Sequence, residues 1–480
     1  MIYNFKVKDY VKPKHSRNIK KSRIGIGLEK LDRNLYDPTK CYDAIGKLGV
    51  KWVRIQSGWM RTEKQEGVFD FSWLDDIVDN LIKQGTTPWM CLCYGNPLYT
   101  ESAKNYSGAI GVPPIFSERE KQAWQKYVAA TVKHFQGRVK HYEVWNEADG
   151  LHCWKHGVSA KEYGEFVFET GKVIKEIDSD IMVFGGASCS QSAGYLNDML
   201  ATGCYKYMDA FTYHNYEVGC FEEGIEEYVN NCRAVLDLYK PGIKIIQGET
   251  GAQSRPDGKG AVKDANWNEA NQAKFVARRM IMDIISGAYF TSYFSTVDMY
   301  ENLTGSDTEI TESMYGFFGV MREEMKDNKP TGVYKPKPSY KALQTVCSIF
   351  EGNYEIVNAP IGFAYQNAER IGLFYAYNDD YPYRMTDTNK TIYASFKKEN
   401  NSYAFVYWKA TDITKQSYSS TVTIETYGMN GNIQLINSVT GEIYDICEES
   451  IERCENGKII LKSLPFTDYP MILTFGDFIN

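Results

Sequence analysis

The stretch Val139-Lys-His-Tyr-Glu-Val-Trp-Asn-Glu147 is rich in apolar and aromatic residues and ends in an amide beside a carboxylate. Its composition is typical of a β-strand, and a helical pattern over residues 160–177 follows it after a loop. A second stretch of the same kind, Ile243-Lys-Ile-Ile-Gln-Gly-Glu-Thr-Gly251, also leads a buried strand to a glutamate. The two stretches predict a pair of carboxylates at two strand ends.

Strand and helix patterns alternate on both sides of the first stretch. The other predicted strands are 23–29, 52–56, 88–94, 181–185, 210–214, 243–247 and 289–296. The other predicted helices are 38–48, 71–84, 118–135, 195–202, 225–239, 271–286 and 339–350. Eight strand–helix units in about 330 residues predict an α/β fold of the (β/α)8 TIM-barrel type. Gly25 and Gly27 lack the third glycine of a dinucleotide-binding turn, so we predict no cofactor.

The pattern changes after residue 352 to short alternating strands separated by Asn, Asp and Gly, which predict an antiparallel β-sandwich. The predicted strands of this part are 371–377, 403–409, 421–425, 433–437 and 471–475. We therefore expect an N-terminal segment (1–23), a catalytic barrel (24–351) and a sandwich domain (352–480). The strand predicted at 2–7 is expected to pair with the sandwich.

Composition excludes several classes of partner. A net charge of -7 argues against nucleic acid, and no run of about 18 apolar residues predicts a membrane-spanning helix. The first 30 residues lack the apolar core of a signal peptide. Eleven cysteines without paired metal-type spacing suit a reducing cytoplasm, so we expect a soluble cytoplasmic protein with no disulfides. The aromatic content is 14%, and aromatic rings stack well on sugars.

Barrel active sites gather at the C-terminal ends of the strands, so glutamates that end the fourth and seventh strands face the same opening. Glycoside hydrolysis requires such a pair. One carboxylic acid protonates the leaving oxygen, and the other attacks the anomeric carbon when the two lie about 5–5.5 Å apart. Glu147 and Glu249 are predicted to be this pair.

Trp145-Asn146-Glu147 together with Gly248-Glu249 resembles the acid/base and nucleophile signatures of clan A glycoside hydrolases. More narrowly, the run 142–147 followed by Trp154 and Glu162-Tyr163 is similar to glycoside hydrolase family 39, the β-xylosidase family. Residues 292–298 are similar to the eighth-strand segment of that family, with Phe294 where a tryptophan is expected. The resemblance implies a retaining β-glycosidase that acts on β-linked oligosaccharides, with Glu147 as acid/base and Glu249 as nucleophile.

The same resemblance implies roles for neighbouring residues. Asn146 would bond the sugar 2-hydroxyl, a hydrogen bond that strengthens in the oxocarbenium-like transition state. His214 and Tyr216, at the end of the sixth strand, match the clan's spacing of two side chains that reach the site. One of them would hydrogen-bond the nucleophile, and Phe294 would contact the glycone.

Arg54 ends the second predicted strand, where its guanidinium could hold Glu249 ionised or form a structural salt bridge with Glu143. Four further residues in loops after the strands could line sugar subsites: Trp59, Tyr94, Asn96 and Trp154.

Other functions stay open at this stage. His152, Cys153 and His156 lack the partners of a metal site, so we predict no metal. A non-catalytic carbohydrate-binding barrel and an endo-acting β-glycanase of the same clan are the alternatives. The long loops 148–159 and 298–337 favour a pocket and exo action, although the same loops could frame a groove. Sequence leaves the sugar, and the choice between monomer and homo-oligomer, open.

Overall fold

A computed structural model describes residues 5–300, 315–327, 329–364, 391–429 and 431–479. The strand predicted at 371–377 lies outside these residues. A first strand, β1 (Lys6–Tyr10), precedes a closed barrel of eight parallel strands. The barrel strands are β2 (Ile24–Gly27), β3 (Trp52–Gln56), β4 (Thr87–Leu92), β5 (His141–Val144), β6 (Met182–Ser188), β7 (Ala210–His214), β8 (Lys244–Thr250) and β9 (Thr291–Tyr293). The predicted TIM barrel is confirmed.

Helices follow the barrel strands. The α-helices are α1 (Tyr42–Leu48), α2 (Trp59–Thr62), α3 (Ser72–Lys83), α4 (Glu118–His134), α5 (Ala160–Ile177), α6 (Ala193–Ala201), α7 (Glu222–Tyr239), α8 (Glu269–Ile285) and α9 (Pro338–Ile349). Short 3-10 helices span Ser16–Asn18, Leu31–Arg33, Pro38–Lys40, Glu101–Asn105, Ser107–Ala109, Cys204–Lys206 and Glu448–Ser450. Ser117, Ser159 and Ser192 cap α4, α5 and α6 by accepting a backbone N–H. Each cap contributes about 1 kcal/mol and fixes where the preceding loop ends.

The barrel interior is apolar at one end and charged at the other. Trp89, Phe184 and Phe290 form the apolar end, and Trp52 stacks on Phe290 with ring centroids 4.3 Å apart. Alternate residues of a strand point to the same side. Two residues after Trp52, Arg54 therefore enters the same interior nearer the C-terminal ends of the strands. The charged layer lies directly beneath the barrel opening.

The C-terminal part contains two antiparallel sheets. Four short strands precede α9: β10 (Met299–Tyr300), β11 (Tyr315–Gly316), β12 (Met321–Lys326) and β13 (Lys329–Pro336). The strands after α9 are β14 (Tyr354–Val357), β15 (Ile361–Phe363), β16 (Thr391–Lys398), β17 (Tyr403–Lys409), β18 (Ser419–Tyr427), β19 (Ile433–Asn437), β20 (Glu442–Asp445), β21 (Ile451–Arg453), β22 (Lys458–Thr467) and β23 (Met471–Phe475). The larger sheet has the order β1-β20-β19-β23-β17-β16-β14, and the smaller has the order β15-β18-β22-β21. The start of the chain thus lies in the sandwich, with Lys6 opposite Asp445.

Segment 298–337 differs from its prediction as a long loop. In its described part, β10 pairs with β11, and β12 and β13 form an antiparallel hairpin with Met321 opposite Pro336. The hairpin is largely exposed on β13, so its strands lack the apolar alternation that marks a strand in the sequence. The section 301–314 lies outside the described residues.

A buried ion pair joins the barrel to the sandwich. Arg278 of α8 donates from Nε to Glu222 of α7 at 2.6 Å and from Nη1 to the Thr411 carbonyl at 2.8 Å. Trp408 of β17 donates to the same Glu222 carboxylate at 2.8 Å. The sandwich therefore braces the helices behind β7 and β8, the two strands that carry His214 and Glu249.

All eleven cysteines lie in the described residues, and each is a free thiol. Among the described helices, none has both the length and the apolar character that crossing a bilayer requires.

Candidate active site

Glu147 and Glu249 meet at the C-terminal end of the barrel. A carboxylate oxygen of Glu147 and one of Glu249 lie within 4.8 Å of each other. Both side chains line a cavity of about 410 Å³, and their exposed fractions are 12% and 14%. The cavity is large enough for a small ligand.

A strained turn after β5 directs Glu147 into this cavity. Trp145 and Glu147 both have left-handed backbones, with φ of 66° and 47°. Such conformations cost about 1–3 kcal/mol each and persist only where the surroundings hold them. Trp145 is fully buried and donates from its indole to the Cys153 carbonyl at 2.8 Å. The backbone N–H of Glu147 donates to Ala187 at 3.0 Å. The buried indole and this hydrogen bond hold the turn.

Arg54 lies beneath the cavity and binds three side chains. Its Nη1 donates to Glu249 Oε2 at 2.7 Å, its Nε to Glu143 Oε2 at 2.7 Å, and its Nη2 to Asn146 Oδ1 at 2.8 Å. The contacts of Arg54 with Glu249 and with Glu143, which were predicted as alternatives, therefore occur together. Tyr216 donates to the other oxygen of Glu249 at 2.7 Å. Both oxygens of Glu249 are fixed in place.

Glu147 is held by two histidines. His214 Nδ1 lies 2.8 Å from Oε1, and His152 Nε2 contacts Oε2. His214 Nδ1 is 3.8 Å from Glu249, so of the predicted pair it is Tyr216 that hydrogen-bonds Glu249. Burial acts to raise the pKa of the Glu147 carboxyl, but the hydrogen bonds from His152 and His214 outweigh it and lower that pKa well below its usual range.

Glu29, for which the sequence predicted no role, is a third carboxyl group in the cavity. Glu29 is 2% exposed, and burial raises the pKa of its carboxyl to about 8 against the pull of Arg54, which lies 3.6 Å away. Its Oε2 has no hydrogen-bond partner among the described residues. The side chain folds back over Gly27, where any Cβ would collide with it. This Oε2 oxygen can accept a hydrogen bond from a ligand hydroxyl.

Some of the other predicted residues line the cavity, and the rest do not reach it. Tyr94, Asn146 and Phe294 line the cavity with His214 and Tyr216. Phe294 packs edge-on against Phe318, with ring centroids 5.5 Å apart, and the two rings form an aromatic wall.

Three predicted loop positions require correction. Trp154 is fully buried against Trp145 and Phe166, so it packs behind the turn and does not face the cavity. Asn96 does not reach the cavity either, because its side chain donates to the Glu63 carbonyl and accepts the N–H of Leu98. Trp59 is also fully buried, and its indole donates to the Glu63 carboxylate.

Several cavity residues were not predicted. They are Glu29, Lys30, Arg33, Gln56, Ile110, His152, Cys153, Cys189, Gln191, Ala261 and Phe318. Glu29 and Gln56 lie at the ends of β2 and β3, so the positional rule that indicated Glu249 also applies to them. His152 and Cys189 are brought in by loop geometry, for which the sequence carries no local signal.

A TIM barrel with two neighbouring carboxylates at the ends of its fourth and seventh strands defines a glycoside hydrolase. The family model described as “Glycosyl hydrolases family 39” matches residues 39–411. The chain belongs to this family, and the resemblance found in the sequence is confirmed.

Several known proteins are similar to this chain. A curated beta-xylosidase from Geobacillus stearothermophilus is 24% identical over 202 residues, which are 37% of this chain and 37% of that protein. A family 39 glycoside hydrolase from Bacteroides cellulosilyticus WH2 has a TM-score of 0.64 at 16% identity, covering 94% of this chain and 80% of its own. A monomeric beta-xylosidase from Caulobacter crescentus CB15 has a TM-score of 0.61 at 17% identity, covering 97% of each chain. These two structures share the fold.

Proposed function

We propose that the protein is a retaining β-glycosidase that hydrolyses β-linked oligosaccharides by double displacement. The observation that carries the proposal is the separation of Glu147 and Glu249, in which a carboxylate oxygen of one lies within 4.8 Å of a carboxylate oxygen of the other. Retaining enzymes hold their two carboxyl groups about 5–5.5 Å apart, whereas inverting enzymes leave about 6.5–9.5 Å for a water molecule. The short separation supports direct attack by one carboxylate.

Glu249 is the proposed nucleophile. Arg54 and Tyr216 hold its two oxygens at 2.7 Å each, so it approaches the anomeric carbon in one orientation. As the glycosyl–Glu249 bond forms, the bond to the leaving oxygen breaks and that oxygen takes a proton from Glu147. A water molecule then attacks the intermediate, returns a proton to Glu147 and releases Glu249.

The rest of the cavity provides ligands for the sugar. Asn146 lines the cavity, its Oδ1 accepts from Arg54, and one N–H of its Nδ2 donates to Cys153 Sγ at 3.4 Å. The second N–H of Nδ2 is the proposed partner of the 2-hydroxyl. Glu29 and Gln56 are proposed to bind further hydroxyls, and Phe294 provides an apolar face. Two of the similar proteins are beta-xylosidases, which supports a xylose-type glycone.

Hydrolysis of nitrophenyl glycosides tests the proposed function. The protein is expected to hydrolyse at least one β-glycoside, with the β-xyloside first among candidates, and to leave α-glycosides of the same sugars intact. Glu249→Gln, which keeps the side-chain volume, serves as the matched control and should be inactive or nearly so. Tight binding of oligosaccharide without turnover would instead support a non-catalytic carbohydrate-binding barrel.

Exo action is proposed on the size of the cavity. About 410 Å³ lies near the lower end of the range for small-molecule sites, and the lining residues come from loops after most of the barrel strands. A reducing-end-labelled xylohexaose should therefore lose single sugars in steps. Early appearance of mid-length labelled fragments would contradict exo action and favour an endo-acting glycanase.

We propose the predicted division into 1–23, 24–351 and 352–480, which the pairing of β1 with β20 and the separate antiparallel sheets after α9 support. A cytoplasmic location is proposed because eleven free thiols suit a reducing compartment. Oligosaccharides short enough to be imported would then be the substrates.

A further inference from the structure

We propose that His152 is a positioning residue that shares, with Glu147, the proton delivered to the leaving oxygen. The proposal rests on the proposed function, because it concerns the acid/base step of that reaction. The usual general acid is a carboxyl group that keeps its own proton in an apolar setting. Glu147 has a different setting, in which each carboxylate oxygen contacts a histidine ring nitrogen.

The two histidines occupy different positions. The His214 ring is fully buried, whereas the His152 side chain is 39% exposed and lines the cavity. His152 therefore reaches both Glu147 and solvent, which a residue that exchanges a proton must do. His214 approaches from the floor of the cavity and holds the opposite carboxylate oxygen in place.

The turn after β5 fixes the position of His152. The Gly150 N–H donates to the Glu147 carbonyl at 3.0 Å, which folds the chain back toward Glu147. The imidazole lies directly over Gly150, where a Cβ would collide with the ring and approach Cys189 Sγ to 3.1 Å. A glycine at this position is what allows the ring to lie flat against the turn and point Nε2 at Glu147.

The charged groups around His152 favour its protonated form. Glu147 and Asp149 face it from its own loop, Glu249 from β8, and the Cys189 thiol from the loop after β6. Asp149 is itself held by the N–H groups of Cys189 and Ser190 at 2.9 and 2.8 Å. The hydrogen bond to Glu147 raises the pKa of His152 above the ordinary histidine value, and the negative charges act in the same direction.

The pair then carries one proton in the resting enzyme, written either as carboxylate with imidazolium or as carboxylic acid with neutral imidazole. When the glycosidic bond breaks, the leaving oxygen takes this proton from Glu147, and His152 is left neutral. In the second half-reaction the attacking water gives its proton to Glu147, and the pair returns to its starting state. The proton is balanced over the cycle, and no further reactant is needed.

The test is His152→Gln, which can still donate a hydrogen bond to Glu147 but cannot titrate. Glu147 would keep its contact with His214 at 2.8 Å but could no longer share the proton with residue 152. The alkaline limb of kcat/KM on a β-linked disaccharide should therefore move down by about one pH unit or more. With a dinitrophenyl β-glycoside, whose leaving group needs no proton, kcat/KM should change by less than about twofold. His156→Gln is the matched control, because His156 lies in the same loop but pairs with Glu162 at 2.9 Å.

An active His152→Gln variant whose alkaline limb coincides with that of the wild type would overturn the role of His152 while leaving the proposed function intact. Absence of turnover by the wild type would instead refute the proposed function. Nitrogen-15 NMR of the unliganded wild type measures the protonation of the His152 ring directly, whatever the kinetic result. The His152 signal is the one that is lost in His152→Gln. The pH titration of the His152 signal is expected to have its midpoint above the reference histidine pKa of about 6.5. A midpoint below that value would contradict the proposal.

Discussion

Replacing Glu249 by alanine is expected to lower kcat by about 10⁴-fold or more on every β-glycoside that the wild type hydrolyses, including those with excellent leaving groups. The reason is that the covalent bond to Glu249 forms in the first half-reaction and breaks in the second, so no substrate can avoid the need for it. The fold should survive, because Arg54 keeps its contact with Glu143 at 2.7 Å and Glu29 lies 3.6 Å away.

Steady-state kinetics and thermal unfolding of Glu249→Ala and Glu249→Gln measure these two effects. A fluorinated β-glycoside with a reactive leaving group offers a direct check, since it should trap the glycosyl-enzyme on the wild type. Peptide mass spectrometry should then place the sugar on Glu249. A label on another carboxylate, or substantial activity in Glu249→Ala, would contradict the assignment.

Glu147→Ala should show a loss that depends on the leaving group. General acid–base catalysis contributes about 10²- to 10⁴-fold, so turnover of a disaccharide should fall by that factor. A dinitrophenyl glycoside needs no protonation to form the intermediate, and its first step should be nearly unaffected. Breakdown of the intermediate then becomes slow, and a burst of dinitrophenol should precede the steady state.

Azide distinguishes the two glutamates. In Glu147→Ala it can enter the vacated space and attack the intermediate on Glu249, which should restore turnover and give a β-glycosyl azide. In Glu249→Ala it would replace the nucleophile and give an α-glycosyl azide. A reversal of these products between the two variants would show that the roles have been assigned the wrong way round.

The barrel was predictable because its elements have strong periodic patterns. The predicted bounds of β3, β7 and α5 agree with the structure, and the apolar run of each of these strands stops where a loop begins. The hairpin of β12 and β13 was not predictable, because few of its residues are apolar and most are exposed. The two strands form because they pair with each other, and a local sequence pattern does not reveal such pairing.

The site was predictable where function depends on position along a strand. Glu147 and Glu249 lie at or just beyond strand ends, where the barrel geometry brings such residues together. Arg54 lies in the middle of β3 and reaches Glu249 from inside the barrel. The prediction that Trp154 lines a sugar subsite was wrong, because an aromatic residue in a loop can equally be packed in the core. Here its indole is buried behind the turn. His152 could not be predicted, since only the folded turn over Gly150 places its ring against Glu147.

The central claim is a double displacement between Glu147 and Glu249, and the anomeric form of the first sugar released tests it most directly. Proton NMR should follow hydrolysis of a β-linked substrate from the first seconds, before mutarotation mixes the anomers. Two successive inversions predict that the β-anomer appears first and that the α-anomer grows in only later. Initial release of the α-anomer would mean a single displacement by water and would contradict the account.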